Sequence, residues 1–154
     1  MRNTLKWTIP FVIAAVVAIA APAQERGTPA EAKQMVEEGL AHVKAVGPVK
    51  AFEDFNAPGG KWHKKDIYLF CYNFTGTCMC QGAINAQVGK EMINFRTADG
   101  QLFVQNLIAL SKTKGSGWIE YFWPHPQTKK MEAKQAWIAR IPGQDLLIGA
   151  GAYK

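Results

Sequence analysis

The sequence is poor in the residues that build metal centres and catalytic clusters. Three histidines and three cysteines stand among 154 residues, and they form neither a Cys-x-x-Cys-His haem attachment nor a paired Cys-x-x-Cys zinc pattern. No nucleophile elbow, phosphate-binding loop or Ser-His-Asp arrangement is present, so the residues point away from an enzyme. No apolar run reaches the ~20 residues needed to cross a bilayer. The formal charge is +6, but Lys61, Lys64, Lys65, Lys112, Lys114, Lys129 and Lys130 are scattered over loops. A nucleic-acid partner would call for a denser basic stripe.

What is present begins with an export signal. Arg2 and Lys6 precede an apolar stretch from Ile9 to Ala20, and Ala21-Pro22-Ala23 supplies the small-x-small exit. The expectation is a signal peptide over residues 1–23 and a single ligand-binding domain over 24–154, located in the periplasm or secreted. An uncleaved signal would instead anchor it to the membrane. No linker to an output domain follows, so a detected signal would have to act through a separate chain.

The periodicity then divides the chain. Thr28-Pro29-Ala30-Glu31 reads as a capped helix start, and Met35, Val36, Leu40, Val43 and Val46 follow at spacings of three and four. Pro48 restarts a short helix whose Val49, Phe52 and Phe55 share a face. After the Asn56–Gly60 turn cluster the period approaches two, with strands expected at Asp66–Tyr72 and Cys78–Gln81. Leu102, Phe103, Leu107 and Leu110 suggest a helix ending near Lys114. Three strands follow, at Trp118–Trp123, Lys134–Ile141 and Leu146–Tyr153. The expected class is α+β: a five-stranded antiparallel sheet with a long N-terminal helix and one helical crossover. One sheet face buries helices, and the other can cup a ligand.

Taken in order, these residues resemble a family. Ala51-Phe52-x-x-Phe55-Asn56, Asp66-Ile67-Tyr68-Leu69-Phe70, Gly76-Thr77, Val88-Gly89-Lys90 and Asp99-Gly100-x-x-Phe103 lead to Gly117-Trp118-Ile119-x-Tyr121-x-Trp123-Pro124-x-Pro126. Lys134 and Ile148-Gly149-x-Gly151-x-Tyr153 complete the set. The series is similar to the single Cache domain, a PAS-like extracellular sensor fold. The resemblance implies binding of a small organic acid or amino acid, no cofactor, and a sensor kinase, chemoreceptor or transporter as partner. Members usually carry a His after the Gly-Thr turn and a short apolar run. Here Gln81 takes that place, with a donor and an acceptor but no proton switch near neutral pH.

The ligand reading rests on alternation. Tyr121 and Trp123 share one strand face, and Trp118, Glu120 and Phe122 the other. With Lys134 facing the same cavity, Tyr121, Trp123 and Tyr68 would make an aromatic box around one cation, suited to an acetate-, lactate- or pyruvate-sized carboxylate. Trp118 and Phe122 read as core, and Tyr153 as structural. His42, His63 and His125 read as surface or capping residues. A turn about Thr75 and Gly76 sets Cys71 opposite Cys80 and Cys78 opposite Asn73. A Cys71–Cys80 bridge, small buried thiols, and soft-metal or haem ligation by Cys78, Met79 and Cys80 all stay open. That ligation is the alternative function, a periplasmic metal- or haem-handling protein. The long helix offers a route to a homodimer.

Overall fold

The computed structural model describes residues 25–154, so the expected signal segment lies outside the described residues. Three α-helices and six strands form the domain: α1 (Pro29–Val46), α2 (Pro48–Asn56), β1 (His63–Lys64), β2 (Ile67–Asn73), β3 (Cys78–Gln81), α3 (Phe103–Lys114), β4 (Ser116–Pro124), β5 (Met131–Arg140) and β6 (Leu146–Tyr153). The sheet is antiparallel in the order β1-β2-β6-β5-β4, with β3 also paired to β2. The two-residue β1 makes six strands where five are expected. It is too short to show a period of two, and only its pairing with Ile67 and Tyr68 defines it.

Helix α1 starts as its sequence dictates. Thr28 Oγ1 accepts from the Glu31 N–H at 3.2 Å, and Glu31 Oε2 accepts from the Thr28 N–H at 2.9 Å, which satisfies two otherwise orphaned donors. Its stripe of Ala32, Met35, Val36 and Val43 is buried, whereas Val46 stands at the exposed end. Helix α2 buries Ala51, Phe52 and Phe55, but Val49 is 75% exposed because it falls on the first turn, outside the packed face.

Alternation along the strands splits the core in two. Ile67, Leu69 and Cys71 of β2 face α1 and α2, where Phe55, Trp62 and Ile148 join them. Tyr68, Phe70 and Tyr72 face α3, together with Phe103, Tyr121, Trp123, Ile138 and Tyr153. The face expected to lie open as a cup is therefore roofed by α3 and by Met92, Ile93 and Phe95. Trp118 and Phe122, expected in the core, are 38% and 43% exposed. They sit on the α1-side face of edge strand β4, to which α1 does not extend.

Cys71 and Cys80 are opposed across β2 and β3 and form a disulfide with Cα atoms 4.7 Å apart, within the ordinary span for such a bond. The register shifts between Cys71 and Tyr72, so Cys78 opposes Tyr72 and not Asn73. Cys78 consequently lies in the α3-side core while Cys80 lies in the α1-side core. With Cys80 bonded to Cys71, the alternative Cys78, Met79 and Cys80 ligand set does not assemble. Among the described residues no three or more His, Cys, Asp or Glu side chains are placed to hold a metal. Burial also pushes the Cys78 thiol up to about 11, far from the thiolate that a soft metal requires.

Candidate functional site

Lys134 occupies the middle of β5, directly between Tyr121 of β4 and Tyr153 of β6. Side chains at paired positions share a face, so all three enter the α3-side core. The neighbouring β6 residue on that face is Gly151, where a Cβ would stand 2.8 Å from Lys134 Cε. Only glycine leaves the path by which the lysine stem crosses β6 toward β2. Its Nζ ends 3.8 Å from the centroid of the Tyr68 ring and 4.7 Å from that of Tyr153.

That ammonium is fully buried and has no hydrogen-bond partner. The faces of Tyr68 and Tyr153 offset part of its desolvation through their quadrupoles, but three N–H groups still point at no acceptor. Burial pulls the Lys134 pKa from 10.5 down to about 7, with Asp66 acting in the opposite sense. Burial likewise raises Tyr68 and Tyr121 well above 10, so both stay neutral phenols.

Trp123 stands two residues from Tyr121 on the same face of β4, diagonal to Lys134. Its ring packs on Phe95 and Phe103 with centroids 5.4 and 5.3 Å away. The indole Nε1 is buried and, like the lysine Nζ, has no partner. Two unsatisfied donors on adjacent strands thus enter one apolar cluster, each costing on the order of 1–3 kcal/mol if left unpaired. A hollow of about 230 Å³ under the Asp99–Gln101 turn reaches both Tyr121 and Lys134. A larger groove of about 620 Å³ lies at the far end of α1, lined by Leu40, Val43, Pro48 and Ile141. No buried polar side chain converges there.

The expected box of Tyr68, Tyr121, Trp123 and Lys134 is therefore drawn from three strands onto one face. Gln81 is buried as well, but its amide is engaged within its own loop. Its Oε1 accepts from the Ala83 N–H at 3.3 Å, and its Nε2 donates to Gln87 Oε1 at 3.5 Å.

Three residues given structural or surface roles in the sequence reading belong beside the box. Tyr153 donates to the Pro124 carbonyl at 2.9 Å, and its hydroxyl lies 3.3 Å from that of Tyr68. His125 is 2% exposed and not a surface residue; its ring lies 4.6 Å from that of Tyr153, tilted by 54°. The Gln127 and Thr128 N–H groups both point at His125 Nδ1 from 3.3 Å. The proton therefore sits on Nε2, which donates to Asp66 Oδ2 at 3.3 Å. The signal for His125 was its place between two prolines; nothing local announced that Asp66 would meet it. His63 also turns inward, with Nε2 on the Gly82 carbonyl and a buried, unpartnered Nδ1.

Known structures carry the same fold. A methyl-accepting chemotaxis protein from Vibrio parahaemolyticus RIMD 2210633 is similar at a TM-score of 0.69 and 20% identity, over 80% of this chain and 86% of that one. The periplasmic sensor domain of a chemotaxis protein matches at 0.64 and 18%, over 80% and 88%. A Cache chemosensory domain whose structure is described as the basis for carboxylic acid recognition matches at 0.68 and 17%, over 80% and 91%. The Cache domain profile matches residues 59–154, from the turn before β1 to the last residue of the chain. The chain belongs to the Cache domain family.

Proposed function

We propose that this Cache domain is an exported sensory module whose α3-side core receives a small carboxylate. The carrying observation is the buried Lys134 ammonium, which has no acceptor within the fold. The carboxylate would take the Lys134 Nζ donors. Tyr68, Tyr121 and Tyr153 would wall the acid's tail. A charge-assisted hydrogen bond in such dry surroundings is stronger than its counterpart in water. Recognition of a carboxylic acid by a chemosensory domain of the same fold supports this reading. The signal would pass to a separate chemoreceptor-type protein, sensor kinase or transporter.

Acid binding would restore the proton that burial disfavours on Lys134. Above pH 7 the affinity should fall about tenfold per pH unit, as the protonated fraction does, and binding should take up a proton. Calorimetric titration with acetate, propionate, lactate and pyruvate, repeated in buffers of different ionisation heat, measures both. Lys134→Met should abolish the response. If none of these acids binds the wild type, or the variant binds equally well, the assignment fails.

A further inference from the structure

The segment that leads into α1 is stitched to the surroundings of Lys134 at three points. Arg26 donates to the Lys154 carbonyl at 2.9 Å and pairs with Glu132 at 2.7 Å; Glu132 lies two residues before Lys134 on the same strand face. The Gly27 N–H donates to Asp66 Oδ1 at 2.6 Å. Only glycine permits that approach, because a Cβ there would fall 2.2 Å from Ile67 Cδ1. Asp66 and His125 are both buried, and the two oxygens of Asp66 are used by Gly27 and His125.

We propose that Asp66, braced by His125, is a positioning residue through which the charge at the Lys134 site is read at the Gly27 amide and so at the start of α1. The inference rests on the carboxylate reading for its natural trigger, but the coupling itself is a property of the unliganded fold. Contacts run without a break from Lys134 to the Tyr153 ring at 4.7 Å, from Tyr153 to His125 at 4.6 Å, and from His125 to Asp66 at 3.3 Å. Asp66 also acts to raise the Lys134 pKa, against the effect of burial. The other titratable groups facing that cation are Tyr68 from β2, Tyr121 from β4 and Tyr153 from β6, all neutral at physiological pH.

Loss of the Lys134 proton, or arrival of an anion beside it, leaves Asp66 less well compensated and alters how strongly it holds the Gly27 N–H. Linkage makes this reciprocal: whatever loosens the Gly27 clasp changes acid affinity by the same factor. A glycine at the clasp transmits the change to backbone alone, since it has no side chain to absorb it.

The test follows the Gly27 amide resonance by ¹⁵N NMR in the full chain. In the unliganded wild type the resonance should titrate near neutral pH. Lys134→Arg keeps a permanent charge and should flatten that titration, as should Lys134→Met. Asp66→Asn should remove it. If Asp66→Asn does not fold, His125→Gln serves instead: it keeps a donor toward Asp66 but breaks the ring contact with Tyr153, so the Gly27 response should shrink, and a response of unchanged size would overturn the route. Saturating propionate should shift Gly27 in the wild type. A wild-type Gly27 that does not titrate, a titration that persists in Lys134→Arg, or propionate that binds by calorimetry yet leaves Gly27 unmoved would each overturn the coupling. Failure of propionate to bind counts against the carboxylate assignment, and the pH titration then decides the coupling alone.

Discussion

The two faces of one sheet have been built to different standards. On the α1 side, Phe55, Trp62, Ile67, Leu69 and Ile148 are closed with apolar atoms and stapled by Cys71–Cys80. On the α3 side, comparable burial is combined with polar tips that find no partner: Ser111 Oγ, Trp123 Nε1 and Lys134 Nζ. His63 Nδ1 lies on the same side, its ring 6.5 Å from that of Tyr68. Every buried unpartnered side-chain atom among the described residues thus gathers on one face. Native interiors normally satisfy such groups, so their concentration on one face sets it apart from the other.

That contrast can be broken by mutation, and the largest effect should come from the satisfied side. Phe55→Ala removes a fully buried ring that packs edge-on to Trp62 at 4.7 Å. Denaturant unfolding should show a loss of about 3–5 kcal/mol, with the affinity of the remaining folded protein for acids unchanged. Replacing both Cys71 and Cys80 by Ala opens a short loop and should cost about 2–3 kcal/mol, again on the α1 side. A loss equal to that of Phe55→Ala would mean that the bridge does more than restrict the unfolded chain.

Lys134 sharpens the comparison from the other direction. Its folded pKa of about 7 lies below the ordinary 10.5, so between those values the unfolded chain binds the extra proton. Stability is therefore lowest below pH 7 and climbs toward pH 10.5. Between pH 7 and 8.5 the wild type should gain about 2 kcal/mol. Lys134→Met should be the more stable protein at pH 6 and lack that rise. A variant destabilised at every pH would show that the cation is already satisfied. The smallest effect should come from Ser111→Ala. The orphaned hydroxyl on α3 contributes nothing to the fold, so the change should be neutral or stabilising by up to about 1 kcal/mol in thermal unfolding.

Much of the fold was legible because its signals are local. The capping box at Thr28 and Glu31, the restart at Pro48 and the period of two in β2 and β4 to β6 depend on neighbours a few residues away. Errors arose where coverage decides. Trp118 and Phe122 carry every mark of core residues, yet stay half exposed because α1 does not reach β4. Val49 is apolar at the right spacing but falls on the first, uncovered turn of α2. His125 sits in a Pro-His-Pro turn that suggests a surface, and is buried because Tyr153 and Asp66 close over it from 28 and 59 residues away. That Tyr68, Tyr121, Trp123 and Lys134 share one sheet face could be read because alternation assigns faces within a strand. Their junction with Asp66, His125 and Gly27 could not, because no period relates a turn, a strand start and the segment before a helix.

Spacing and alternation alone were enough for the three helices and every strand but β1, for which strand faces carry aromatics, and for the possibility that Cys71 meets Cys80. The tertiary structure alone decided that the lysine would be dry and without an acceptor. That depends on β6 presenting a glycine and on α3 closing the sheet, and desolvation is a property of everything that surrounds a charge.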